Sequence, residues 1–131
     1  MRRILTCLLM VIGLPALAQD SMSAVEFEAY VTGKTITFRT PNNPSYGIER
    51  YLPDRRVMWS DFSGICKYGV WYENKGDICF RYEDVAQAQC WTMFDDGAAG
   101  LRGHYTNVPD STVIFEARDA DAPLICNDLS S

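Results

Sequence analysis

The sequence predicts a mainly β domain: an antiparallel up-and-down meander closing to a small barrel or half-barrel, with a short N-terminal helix and two disulfides. Three observations carry this expectation. From Lys34 onward the apolar residues follow a period of two and are rich in β-branched and aromatic types. Turn-forming Pro, Gly, Asn and Asp recur between these runs at short intervals. Four cysteines, an even number, lie in the part of the chain that remains after an N-terminal export signal.

The signal is the first element. Met1, Arg2 and Arg3 form a positive start, Ile4 to Leu14 an apolar run, and Ala16-Leu17-Ala18 a small-x-small cleavage pattern. Cleavage after Ala18 divides the chain into a signal at 1–18 and a single domain at 19–131. The apolar run of 11 residues is too short for a membrane-spanning helix, which needs about 20. No later stretch is longer, so the mature chain is expected to carry no transmembrane anchor. Cys7 leaves with the signal. So do Arg2 and Arg3, and the net charge of −5 becomes −7. That balance argues against a nucleic-acid partner and against adsorption to anionic lipid.

Ser23-Ala24-Val25-Glu26 has the form of a capping box, in which a serine and a glutamate three residues apart satisfy each other's backbone donors. The helix it opens places Ala24, Phe27, Tyr30 and Val31 on one face, and Gly33 supplies the left-handed residue that stops it.

Eight strands follow: 35–39, 46–52, 56–60, 69–73, 77–82, 89–94, 101–106 and 112–117. The turns between them contain Pro41-Asn42-Asn43-Pro44, Pro53-Asp54, Asn74-Lys75-Gly76, Asp95-Asp96-Gly97 and Pro109-Asp110. Links this short leave no room for crossover helices, so neighbouring strands run antiparallel. The tail after Ala120 reads as an irregular strap.

Cysteines in an exported chain of this size read first as disulfides. If Phe80 faces Gln89 and Tyr82 faces Gln87 across a hairpin, Cys79 falls opposite Cys90. This leaves Cys66 to hold the tail at Cys126. Intervals of 13, 11 and 36 residues between successive cysteines lack the paired spacing of a zinc site, so no metal or other cofactor is expected.

The run Gly69-Val70-Trp71-Tyr72, then Ile78-Cys79-Phe80-Arg81-Tyr82, then Cys90-Trp91 resembles small exported bacterial β-meander proteins of uncharacterised function. The similarity extends to Gly33-Lys34-Thr35 and to the segment from Leu52 to Val57. It implies the fold and no activity. A looser likeness is to periplasmic β-barrel proteinase inhibitors; the mid-chain tryptophan and different cysteines leave no inhibitor residue to transfer.

Candidate site residues fall into three groups. Trp59, Trp71 and Trp91, with Tyr51, Tyr72, Phe80, Tyr82, Phe94 and Tyr105, suit either a filled core or a pocket for an apolar ligand. Arg55, Arg56 and Arg81 are the cations suited to clamp an anion, or to pair with acids such as Asp54 and Glu83. His104, the single histidine, would need an acidic partner among Asp77, Glu83, Asp84, Asp95 and Asp96 to act as a base. The adjacent acids Glu83-Asp84 and Asp95-Asp96 sit at turns and read as solvated loop residues. No Gly-x-Ser-x-Gly or phosphate-loop motif is present.

The expectation for function is therefore an exported, periplasmic or secreted, binding or interaction domain without catalytic activity. Its partner would be an envelope protein or a small ligand. The competing expectations are a small hydrolase of envelope material built on His104, and a structural envelope protein.

Overall fold

A computed structural model describes residue 10 and residues 12–107 and 111–127. Most of the apolar run of the predicted signal, Cys7 and the predicted Pro109-Asp110 turn lie outside these residues.

The helix forms where its cap places it. Helix α1 spans Ala24–Val31; Glu26 N–H donates to Ser23 Oγ at 3.2 Å, and Ser23 N–H donates to Glu26 Oε2 at 2.8 Å. Gly33, with φ of +85°, turns the chain into the sheet. Phe27 and Val31 face inward and are wholly buried.

Strands β1 (Thr35–Thr40), β2 (Asn43–Tyr51), β3 (Arg56–Ser60), β4 (Lys67–Asn74), β5 (Asp77–Tyr82), β6 (Gln89–Asp95), β7 (Leu101–Tyr105) and β8 (Val113–Glu116) follow in order. Each pairs antiparallel with the next, and β8 pairs back onto β1 through Phe38 opposite Glu116, so the meander is a closed barrel. Closure removes both sheet edges, which otherwise expose unpaired backbone groups.

Two strands begin earlier than their sequence suggested. β2 begins at Asn43 and includes Pro44, because the turn needs only Pro41 and Asn42. Pro44 is tolerated there: pairing of β2 with β3 runs only from Ile48 to Tyr51, so its missing N–H faces no ladder on that side. β4 starts at Lys67, two residues early, and Lys67 pairs with Trp59.

The ends of the barrel differ. The β2–β3, β4–β5 and β6–β7 turns gather at the end that carries α1, and Met22 N–H donates to Met93 O beside it at 2.7 Å. Phe27 enters the barrel there, edge-on to Tyr51, Trp71 and Phe80 with centroids at 5.8, 5.1 and 6.3 Å. The helix is thus a plug.

Thr37, Ile48 and Ser60 form a row of paired residues across β1, β2 and β3 on the outer wall, and all three are buried. The C-terminal strap accounts for this. It leaves β8 at Ala117, whose N–H donates to Thr37 O, and ends at Asn127, whose N–H donates to Gly64 O. Cys126 in the strap is joined to Cys66, with Sγ 3.4 Å from Met58 Sδ.

Both disulfides join the expected residues. Phe80 pairs with Gln89, which puts Cys79 directly opposite Cys90 at a Cα separation of 4.0 Å. The Cys66–Cys126 bond spans 60 residues and Cys79–Cys90 spans 11. The loops they close correspond to about 4 and about 3 kcal/mol in the chain-entropy model. Among the described residues no helix is long and apolar enough to cross a membrane.

Candidate functional site

Alternation along the strands sends one face of each into the barrel. Towards the plugged end these inward side chains interlock with Phe27. At the opposite end, formed by the β1–β2, β3–β4, β5–β6 and β7–β8 connections, they do not meet. They leave a cavity of about 150 Å³.

Its walls are mostly rings. Phe38, Trp59, Phe80 and Trp91 supply apolar faces, Met93 and Ile114 close the far side, and Lys67, Val85 and Gln89 stand at the mouth. Trp59 depends on a neighbour without a side chain: a Cβ at Gly47 would overlap its indole ring. Gly47 thus lets the ring lie across β2, where it also meets Tyr46 edge-on at 5.8 Å.

One buried acid breaks this apolar lining. Glu49 is 2% exposed, lies between Ile36 and Trp59 on the inward face of β2, and borders the cavity. Tyr82 reaches it from β5, with Oη 2.9 Å from Oε2 and 3.1 Å from Oε1. Burial disfavours the ionised form and pushes the Glu49 carboxyl up to about 8, against a smaller opposing effect of the Tyr82 hydrogen bond. Burial likewise raises the Tyr82 and Tyr51 phenols well above their ordinary value. At neutral pH the site therefore holds an uncharged acid beside uncharged phenols.

The residues singled out from sequence separate cleanly. Trp59 and Trp91 line the cavity, as do Tyr51, Phe80 and Tyr82. Trp71 belongs to the plugged end, against Phe27. Tyr105 packs on Trp91 with centroids at 4.8 Å, while Tyr72 and Phe94 lie under the guanidinium groups of Arg81 and Arg102. Arg55 pairs with Glu28 of the helix at 3.1 Å and lies 4.5 Å over the Trp71 ring, so it clips the plug to the barrel and does not use Asp54. Arg56 donates to Pro53 O, and Arg81 points outward. Arg56 and Arg81 flank Val70 in register across β3, β4 and β5 and line one hollow on the outer wall, whereas Arg55 lies apart from them at the helix.

His104 faces the outer wall, edge-on to Phe94 at 5.6 Å. Its Nε2 lies 2.6 Å from Arg102 Nη1, a donor, so the nitrogen serves as an acceptor there. Arg102 in turn pairs with Asp96 at 2.8 Å, which holds the Asp96 carboxyl below the usual range. Asp77 accepts from Thr92 Oγ1 at 2.9 Å and Asp84 pairs with Lys67 at 3.6 Å. Each acid among these has a structural partner, and none is hydrogen-bonded to His104. Among the described residues no group of three or more His, Cys, Asp or Glu side chains is placed to hold a metal.

Glu49 was not legible as a site residue. In Ile48-Glu49-Arg50-Tyr51 it looks like an exposed strand acid beside a core isoleucine. Only its shared parity with Tyr51 marks it as inward.

The geometry defines a class: a closed eight-stranded up-and-down barrel, plugged at one end by a helix and hollow at the other. Comparisons with protein-family models, curated proteins and solved structures find no match for the chain.

Proposed function

We propose that this is an exported binding protein whose barrel holds one small, mainly apolar ligand, without catalytic activity. The observation that carries the reading is the cavity itself: unfilled space among aromatic rings, with a single buried carboxyl to orient an occupant. Eight-stranded barrels of this size either fill their interior or hold one small ligand. An apolar cavity of about 150 Å³ is large enough for a single ring.

Export is supported separately. Residues 12–18 are all exposed, including Ile12, Leu14 and Leu17. The first side chain tied to the barrel among the described residues is Gln19, which meets Asp95, Asp96 and Arg102. Two disulfides accord with an oxidising compartment. Mass measurement of the protein recovered from a bacterial envelope fraction is expected to give an N-terminus at Gln19; recovery from the cytoplasm with Met1 retained rejects export.

The binding reading is tested by titrating the purified protein with single-ring compounds of matched shape, namely toluene, benzyl alcohol, benzylamine and benzoate. Saturable one-site binding, read by tryptophan fluorescence from Trp59 and Trp91, is the expected result. If none of the four binds or shifts the melting temperature, the cavity does not serve a ligand.

A further inference from the structure

We propose that the ligand of this cavity is a small organic cation, an amine carried on an apolar or aromatic body, whose ammonium group pairs with Glu49. The inference rests on the cavity reading above and names the chemistry of the occupant.

The first reason is a shortage of donors. A carboxylate presents about four acceptor positions. Among the described residues the only recorded donor to Glu49 is the Tyr82 hydroxyl, which carries one hydrogen. The acceptors left over border the cavity, so an occupant rich in N–H groups would satisfy them.

The second reason is the missing counter-charge. No ion pair among the described residues includes Glu49. Lys67, at the mouth, has its ammonium 3.6 Å from Asp84 on the rim. A lone buried acid is costly to ionise, and the free protein avoids that cost by keeping Glu49 protonated. A bound ammonium would remove the need.

Third, the walls favour a positive guest. The faces of Trp59, Tyr82 and Trp91 carry the negative side of the ring quadrupole, which attracts cations most strongly where water is excluded. An anionic ligand would meet Glu49 and the repulsion of a chain whose net charge is −5. A cation would be drawn toward it.

Pairing with an ammonium requires Glu49 to release its proton, so the cation should bind more tightly as pH rises from 6 to 8. The groups facing Glu49 do not confuse this trend. Tyr51 on β2 and Tyr82 on β5 keep their protons throughout, Tyr46 on β2 is a phenol, and the Lys67 ammonium on β4 pairs with Asp84.

The test compares benzylamine with toluene, benzyl alcohol and benzoate on the native protein and on Glu49→Gln, which keeps the shape of the side chain. At pH 8 benzylamine is expected to bind at least about tenfold more tightly than the other three, and to weaken by up to about tenfold per unit as pH falls to 6. Glu49→Gln should abolish both the preference and the pH dependence, and a native-like cooperative melting transition shows that the variant is folded. Equal or tighter binding of benzyl alcohol, toluene or benzoate by the native protein overturns the cation assignment and leaves the cavity reading standing. So does an amine preference that survives in Glu49→Gln. Failure of all four to bind removes both.

Discussion

The two ends of this barrel are built from the same kind of strand and reach opposite outcomes. At the helix end, inward side chains from β2, β4 and β5 close around Phe27, and nothing is left over. At the other end, equally large rings stand apart and enclose space with a protonated acid in its wall. The difference comes from one extra element. An eight-stranded barrel is just wide enough either to be filled by its own side chains or to leave room for one small ligand, and here only one mouth has a helix adding a ring to the filling.

The comparison breaks most severely at Phe27. Phe27→Ala removes a fully buried ring that touches three others and should cost about 3–5 kcal/mol in urea unfolding. Toluene should still enter the far cavity if the ends are independent. Loss of toluene binding at a denaturant concentration where the variant remains folded would show that they are not.

Glu49 gives the next largest effect, and a signed one. Its carboxyl titrates near 8 when folded and near 4.5 when exposed, so the folded state binds the proton more tightly. Its stabilising contribution is complete below about pH 4.5 and is lost as pH rises through 8, by roughly 5 kcal/mol at most. Unfolding free energies measured from pH 5 to 8 should fall with pH in the native protein and lie nearly flat in Glu49→Gln. A parallel slope in the variant would reject Glu49 as the source.

Gly47→Ala should cost about 1–3 kcal/mol, because its new methyl occupies the place of the Trp59 indole. The displaced ring should also change tryptophan fluorescence and weaken toluene binding, effects that a purely backbone perturbation at the plugged end would not produce. The smallest expected effect is at the helix start. Ser23→Ala removes one arm of the capping box and should cost about 1 kcal/mol in thermal or urea unfolding, with ligand affinity unchanged.

Local patterns in the chain were enough to draw most of the scaffold. Ser23 and Glu26 mark a helix start because both halves of a capping box are short-range bonds. Cys79 lies opposite Cys90 because the register of a short hairpin fixes which residues face each other. Trp59 and Trp91 were legible as ring material for a core or a pocket, but no local signal separated them from Trp71. Which of the three lies near the plug depends on where α1 docks.

Glu49 was hidden for a related reason. Ile48, its neighbour of opposite parity, is as buried as any core residue, yet it lies on the outer wall in the row spanned by the strap. A strand with burial on both faces loses the alternation that tells inside from outside. Arg55 was visible as a cation but not as the clip that joins helix to barrel, since its partners Glu28 and Trp71 come from elements distant in sequence.

The sequence by itself determined the helix, the strand order and the hairpin at Asn74-Lys75-Gly76, and it favoured the observed pairing of the four cysteines over the two other possible ones, because each depends on residues near one another or on hairpin register. Tertiary structure alone decided that the sheet closes completely, that one mouth is plugged and the other hollow, and that an acid ends up inside. Those outcomes depend on how volume and charge are shared among eight strands, a helix and a strap, and no single segment contains that sum.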